Sequence, residues 1–347
     1  MTDDLIVRSH GRVGHISLNR PKAIHALNID MCRGISAALE EWRGDQAIEA
    51  VLLDHSEGRG FCAGGDIRMI AESGAEDGVQ ARAFFRDEYR MNNTMFAYVK
   101  PIVAFMDGVT MGGGVGISLP CEYRVATENT RFAMPETGIG LFPDVGGGWY
   151  LSRLPGRVGQ FLALTGARLD GGECVELGIA THYLPSEHLE EAKERIATDP
   201  GRIKGILGQL AVSPPEARIL ANLDKINKLF ASDDLAEVMD ALGNDESEWA
   251  QRELDTLCTK SPLSCKVSLR LLREGATMPF FIDEMRQEFA VASHIVQRHD
   301  FIEGVRALII DKDNRPEWDP AHPDEVTAHM IDTIFAPLPD DEAWTPE

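Results

Sequence analysis

Short apolar blocks at residues 5–7 and 13–18, with Gly11 between them, predict two strands joined as a hairpin, and Asn19-Arg20-Pro21 ends the second. From about residue 28 to 42 the apolar positions Met31, Ile35, Leu39 and Trp42 recur at helical spacing, and the apolar run at 50–53 reads as a buried strand. The pattern then repeats, with a helix near 81–99, a strand at 102–105, a glycine-rich turn opening a helix at about 113–120, and a strand at 123–126. This alternation continues to about residue 184 and predicts an α/β architecture with crossover connections. Helical periodicity dominates afterwards, at 187–198, 215–230, 233–242 and 279–299, with proline or glycine between several of these segments. Residues 316–347, rich in proline and acids, predict an irregular tail. The expected organisation is therefore a core over residues 1–185 and a helical C-terminal region over 186–347, with no solenoid repeat.

Composition narrows the function classes. With 347 residues, 44% apolar and 7% aromatic, the chain has the make-up of a globular protein, and no stretch is long enough to predict a membrane span. A formal charge of −22 disfavours nonspecific attraction to nucleic acid or to an anionic membrane, so an anionic ligand would need a local basic or backbone-amide pocket. The six cysteines (Cys32, Cys62, Cys121, Cys174, Cys258 and Cys265) are far apart without CxxC spacing, which predicts packed thiols rather than disulfides or a zinc site. The ten histidines lack metal-ligand spacing, so no metal is expected. Asp3 and Asp4 stand where a signal or transit peptide would carry positive charge, making the cytoplasm the expected compartment.

Three glycine-rich clusters follow predicted strands: residues 58–66, 111–116 and 138–148. Glycine lets backbone N–H groups approach a ligand closely, so repeated clusters at strand ends suggest a site built from main chain; tight turns and close packing are the alternative. In the middle cluster the glycines open a helix, where free N–H donors favour developing negative charge, as on a thioester oxyanion. The third cluster sets Glu136 and Asp144 among apolar and small residues, where desolvation and mutual repulsion favour the protonated form of one of them. The competing explanation, equally open from these residues alone, is that Glu136 caps the helix after Pro135 and Asp144 the one near Val145. Cys62 reads as a small packed thiol rather than a nucleophile, since no basic partner lies near it in sequence.

Taken in order, Leu18-Asn19-Arg20-Pro21 with Ala26-Leu27-Asn28, FCAGGD at 61–66, MGGGVG at 111–116 and MPETGIG at 134–140 resemble the crotonase (enoyl-CoA hydratase/isomerase) superfamily. The resemblance implies a crotonase-like spiral of ββα units with a helical C-terminal region. It also implies oxyanion amides at Gly65 and Gly113, and CoA bound along Ala26 and the backbone of Ala63, Gly65, Asp66 and Ile67, with Lys22 or Arg68 near the phosphates. The superfamily's hydratases place one glutamate three residues after the second amide and another in the PE motif; here those positions are Gly116 and Glu136. Hydration of a C=C bond uses both carboxylates, so Gly116 argues against it, while an acid stands at Asp144 where hydratases carry glycine.

The run PETGIGLFPDVGGG at 135–148, with FFRDEYR at 84–90, SPLS at 261–264 and DFIEGVRA at 300–307, resembles the 3-hydroxyisobutyryl-CoA hydrolase branch of that superfamily. By that resemblance the expected reaction is thioester hydrolysis to 3-hydroxyisobutyrate and CoA in valine breakdown. Glu136 would attack the carbonyl or activate water, Asp144 would hold or protonate the other participant, and Glu88 would face the acyl hydroxyl, a surface ion pair being the alternative for Glu88. The competing functions are an enoyl-CoA hydratase or isomerase using Glu136 alone and a non-catalytic interaction subunit. CoA is part of the substrate, so no separate cofactor is expected. The partner expected is the acyl-CoA, with no nucleic acid or membrane; a homo-oligomer is left open by the resemblance, since the superfamily often forms trimers while the longer C-terminal part of this branch could cover its own core.

Overall fold

The computed structural model describes residues 2–347. β1 (Leu5–His10) and β2 (Val13–Leu18) pair antiparallel across Gly11, whose φ of +60° a glycine adopts without strain. α1 (Ile29–Gly44) starts where the Asn28 side chain accepts the Met31 N–H at 2.9 Å, and it buries Met31, Ile35, Leu39 and Trp42. Next come β3 (Ala50–His55), β4 (Gly60–Cys62), α2 (Ile67–Gly74) and α3 (Val79–Phe96). They are followed by β5 (Ile102–Met106), β6 (Val109–Met111), α4 (Gly113–Ser118), β7 (Tyr123–Ala126), β8 (Arg131–Ala133) and α5 (Gly147–Leu151). β9 (Leu169–Asp170) and β10 (His182–Tyr183) precede a long helical stretch.

By contacts the chain forms two compact units whose segments interleave in sequence, rather than meeting at one boundary near residue 185. The first unit comprises the residues up to Gly65 with Arg90–Ala133 and Arg168–Ile219, and it holds all the strands named above. One sheet runs β1-β2-β3-β5-β7-β10, parallel from β2 onward. Parallel strands covered on both faces carry nearly continuous apolar runs, and β2, β3 and β5 are buried along almost their whole length. Val13, Leu52, Val103 and Phe105 pack there with Leu184, Ile196 and Leu207. A smaller sheet, β4-β6-β8-β9, has its first three strands parallel, and β4 and β6 run straight into the first two glycine clusters.

The second unit, Asp66–Tyr89, Met134–Ala167 and Leu220–Glu347, is helical. Its Pro262–Gly275 helix buries Leu263, Val267, Leu271 and Leu272, and its Phe281–Ile295 helix buries Met285, Phe289 and Ala292. The boundary between the units falls inside α3, after Tyr89. The predicted helix at 215–230 is two pieces, a 3-10 turn at Arg218–Asn222 and a helix at Leu223–Leu229. The tail is less irregular than its composition predicts: Ala328–Ile334 is helical, and buried Trp344 donates its indole N–H to the Arg86 carbonyl at 3.2 Å. Arg86 in turn donates to the Glu342 and Ala343 carbonyls, so the buried indole and the guanidinium together hold this end of the tail. Among the described residues no helix is long and apolar enough to cross a membrane.

Candidate active site

In the strand-bearing unit, the parallel pairing of β4 with β6 sets two glycine turns side by side. Gly65 lies three residues beyond β4, and Gly113, two beyond β6, is the first residue of α4. Gly64 at φ +123° and Gly112 at φ +47° turn the chain off the strands, conformations that a side chain resists. A Cβ placed on Gly64 would lie 3.8 Å from the Gly113 nitrogen, so the turns are in contact. One on Gly114 would stand 2.3 Å from the Cys62 carbonyl oxygen, so α4 packs on β4 more closely than any side chain permits. At the first position of α4 the Gly113 N–H has no acceptor in its own helix. Cys62 is buried, with its thiol donating to the His25 carbonyl at 3.2 Å, as a packed thiol should.

Beside these turns the Leu27 N–H donates to the Gly64 carbonyl (2.8 Å) and the Ala63 N–H to the Ile24 carbonyl (2.9 Å), which aligns Ala26 with the Ala63–Gly65 backbone. Ile24 and His25 hold positive φ values of 48° and 55°, a strained choice for residues other than glycine. The fully buried His25 ring stabilises that turn: its Nδ1 accepts the Arg20 N–H (3.0 Å) and its Nε2–H donates to the Glu57 carbonyl (2.8 Å). Burial lowers its pKa and keeps it neutral. Gly116 is buried in α4, and its carbonyl accepts from Asn92 Nδ2 at 2.9 Å. Lys22 and Arg68 are exposed.

The helical unit carries the acids. Glu136 opens a 3-10 turn, Glu136–Ile139, Asp144 follows in the loop before α5, and Glu88 and Tyr89 sit on α3. Glu88, Glu136 and Asp144 are 2%, 5% and 5% exposed. Neither loop acid is a cap: Pro135 and Gly146 occupy the N-cap positions, without side-chain cap bonds, and Asp144 Oδ2 instead accepts the Tyr89 O–H at 2.8 Å. Glu88 is likewise no surface ion pair. Glu88 Oε1 and Glu136 Oε2 are buried with no hydrogen-bond partner, a cost of about 1–3 kcal/mol each that marks places for a ligand's polar groups.

Their electrostatics differ in a useful way. Burial, then the charge of Asp144, pushes both Glu88 and Glu136 well above the usual carboxylate range. Asp144 is raised by burial only to about 6, because the Tyr89 hydroxyl stabilises its anion. At neutral pH, with no ligand present, Asp144 thus holds the charge and Glu136 the proton.

Pattern reading missed three residues here. Tyr89 stands beside Glu88 but has no special spacing. Glu284 and Glu288, both fully buried, lie one turn apart on the Phe281–Ile295 helix, interleaved with buried Phe281, Met285 and Phe289; acids on the apolar side of a helical pattern were the available signal. Glu288 accepts the Gly146 and Gly148 N–H groups at 2.8 and 3.2 Å.

Residues 13–335 match the family model described as enoyl-CoA hydratase/isomerase. The chain is 43% identical to a Xenopus laevis protein and 40% identical to a human one, both named 3-hydroxyisobutyryl-CoA hydrolase, mitochondrial; the alignments cover 94% and 97% of this chain and 87% and 89% of theirs. Among solved structures it resembles one titled a carnitinyl-CoA dehydratase from Mycobacterium thermoresistibile (TM-score 0.95, 38% identity, 100% of this chain and 99% of that one). It also resembles one titled an enoyl-CoA hydratase from Rhodobacter sphaeroides (TM-score 0.91, 37% identity, 99% and 100%). The mitochondrial names overturn the expected cytoplasmic location: the acids at Asp3 and Asp4, on which it rested, set a local charge and not a compartment. With its spiral-type strand order, its glycine turns and matches that span nearly its whole length, the chain belongs to the enoyl-CoA hydratase/isomerase family.

Proposed function

We propose that the chain hydrolyses the thioester of 3-hydroxyisobutyryl-CoA to 3-hydroxyisobutyrate and CoA. The observation that carries the reading is the sealed pair Glu136 and Asp144, one neutral and one ionised, where neither acid has the capping role that would explain it structurally. Full-length relatives named for this reaction support it.

In the proposed cycle the thioester carbonyl oxygen is held by the Gly65 and Gly113 N–H groups, each preorganised donor contributing about 3 kcal/mol in the transition state. Glu136 passes its proton to Asp144, and the resulting Glu136 carboxylate takes a proton from water. The hydroxide adds to the carbonyl carbon, the tetrahedral oxyanion collapses, and the C–S bond breaks. Asp144 protonates the departing sulfur, which returns both acids to their resting states. Direct attack by Glu136, through a mixed anhydride, uses the same groups; single turnover in ¹⁸O-labelled water, with label appearing in Glu136, distinguishes that route. Glu88, neutral and with one buried oxygen unpartnered, is assigned to the substrate's 3-hydroxyl. CoA is assigned to Ala26, Ala63, Gly65, Asp66 and Ile67, with no other cofactor needed.

The titles of the two solved structures favour a second reading, water elimination or addition at the acyl chain. Against it stands Gly116, which offers no carboxylate where that chemistry has its second acid. Release of free thiol separates the two reactions. Wild type should release CoA from 3-hydroxyisobutyryl-CoA, and Glu136→Gln and Asp144→Asn should each lower kcat by about 10²-fold or more; wild type without thiol release contradicts the proposal.

A further inference from the structure

The loop that carries Asp144 is held by a side chain that takes no part in the proposed chemistry. Val145 has φ +53°, a conformation that a β-branched residue adopts only when its surroundings impose it. Gly146 follows at φ +91°, and the Gly147 N–H closes a tight turn on the Asp144 carbonyl at 2.8 Å. The Glu288 carboxyl takes the Gly146 N–H on one oxygen (2.8 Å) and the Gly148 N–H on the other (3.2 Å). Glu288 is 0% exposed and sits mid-helix between buried Met285 and Phe289, so it has little freedom to release either bond. Glu284, one turn earlier, closes the turn sterically: a Cβ on Gly148 would lie 2.0 Å from its Oε1. The Tyr89 O–H fixes the Asp144 carboxyl itself at 2.8 Å.

We propose that Glu288 is a positioning residue, whose carboxyl bridges the Gly146 and Gly148 N–H groups and holds the strained turn that aims Asp144. Each of the two N–H groups faces an oxygen, so an amide cannot replace the carboxyl: a neutral carboxyl can direct its O–H elsewhere and still accept on both oxygens, whereas glutamine sets an NH2 group against one of the two donors. A 1 Å displacement of a reacting group can cost about 100-fold in rate, ample scope for an effect by a residue that touches no substrate.

The inference rests on Asp144 acting in thioester cleavage, and the test separates the two claims. Wild type, Glu288→Gln, Asp144→Asn and the double variant are assayed for thiol release from 3-hydroxyisobutyryl-CoA. If wild type releases no thiol, the functional reading fails. If wild type is active, Glu288→Gln should lower kcat about 10–100-fold with KM changed less than threefold. Its penalty should largely vanish on the Asp144→Asn background, because a residue acting through Asp144 has nothing left to position. Unchanged kcat, or the same penalty with and without Asp144, overturns the inference. Should Glu288→Gln not fold, hydrogen exchange on wild type decides: the Gly146 and Gly148 amides should exchange as slowly as the core of the Phe281–Ile295 helix, and rapid exchange at both overturns it.

Discussion

At the scale of single residues, the division of labour between Glu136 and Asp144 comes from what each side chain touches. Both are buried, but only Asp144 receives a hydroxyl, from Tyr89, and only Asp144 stays near pH 6. The proposed cycle needs Asp144 ionised at the outset, so lowering the pH through about 6 protonates it and removes the acceptor for the Glu136 proton. The acid limb of kcat/KM should therefore fall near pH 6. Tyr89→Phe removes a bond that favours the anion, so the limb should move to higher pH, and a pH–rate profile that stays in place would show that Asp144 is not the group titrating. Glu88 gives a specificity prediction: an analogue without the 3-hydroxyl leaves a buried carboxyl unpaired, which costs about 1–3 kcal/mol, so isobutyryl-CoA should show roughly 5- to 100-fold lower kcat/KM. Equal values for the two thioesters would remove Glu88 from that role. The sequence made Glu88, Glu136 and Asp144 visible as motif positions, but their protonation order depends on a hydroxyl that no spacing rule picks out.

Among elements, the glycine turns exist because short parallel strands end side by side. The longer strands are legible as apolar runs, and the strand expected at residues 123–126 is β7. β4, β6 and β8, each three residues long and bordered by glycine or turn residues, lack the length to show a period. Their pairing is nonetheless what brings Gly64 against Gly113. Gly114→Ala tests how far that approach matters. The new methyl would meet the Cys62 carbonyl at 2.3 Å, so α4 must shift from β4. Stability should drop by about 1–3 kcal/mol, seen as a lower midpoint in denaturant, with thiol release reduced in the protein that remains folded. A variant of wild-type stability would mean that the helix is free to move.

For the molecule as a whole, the acids are a liability to folding. The organisation expected from sequence divides the chain once, near residue 185, whereas the segments of the two units interleave, because residues 66–89 and 134–167 pack with the C-terminal helices through contacts that periodicity does not reveal. Those two segments carry Glu88, Glu136 and Asp144, and the helices they join carry Glu284, raised by burial to about 8, and Glu288, raised well above the usual range. A carboxyl whose pKa is higher folded than unfolded lowers stability progressively as pH rises from the unfolded value to the folded one. For Asp144 that window runs from about 4 to about 6. Asp144→Asn should accordingly stabilise the ligand-free protein by about 1–3 kcal/mol at pH 8 and by much less at pH 4, measured by thermal unfolding at the two values. Stabilisation equal at both would mean that its charge is not the cause.

The measurement that bears most directly on the account follows free thiol and enoyl-thioester absorbance together, with purified protein and 3-hydroxyisobutyryl-CoA. One thiol should be released per substrate consumed, with no change in the enoyl band, and Asp144→Asn should slow substrate consumption and thiol release together by about 10²-fold or more. Growth of the enoyl band without free thiol would contradict the account and return the chain to the hydration chemistry of its family.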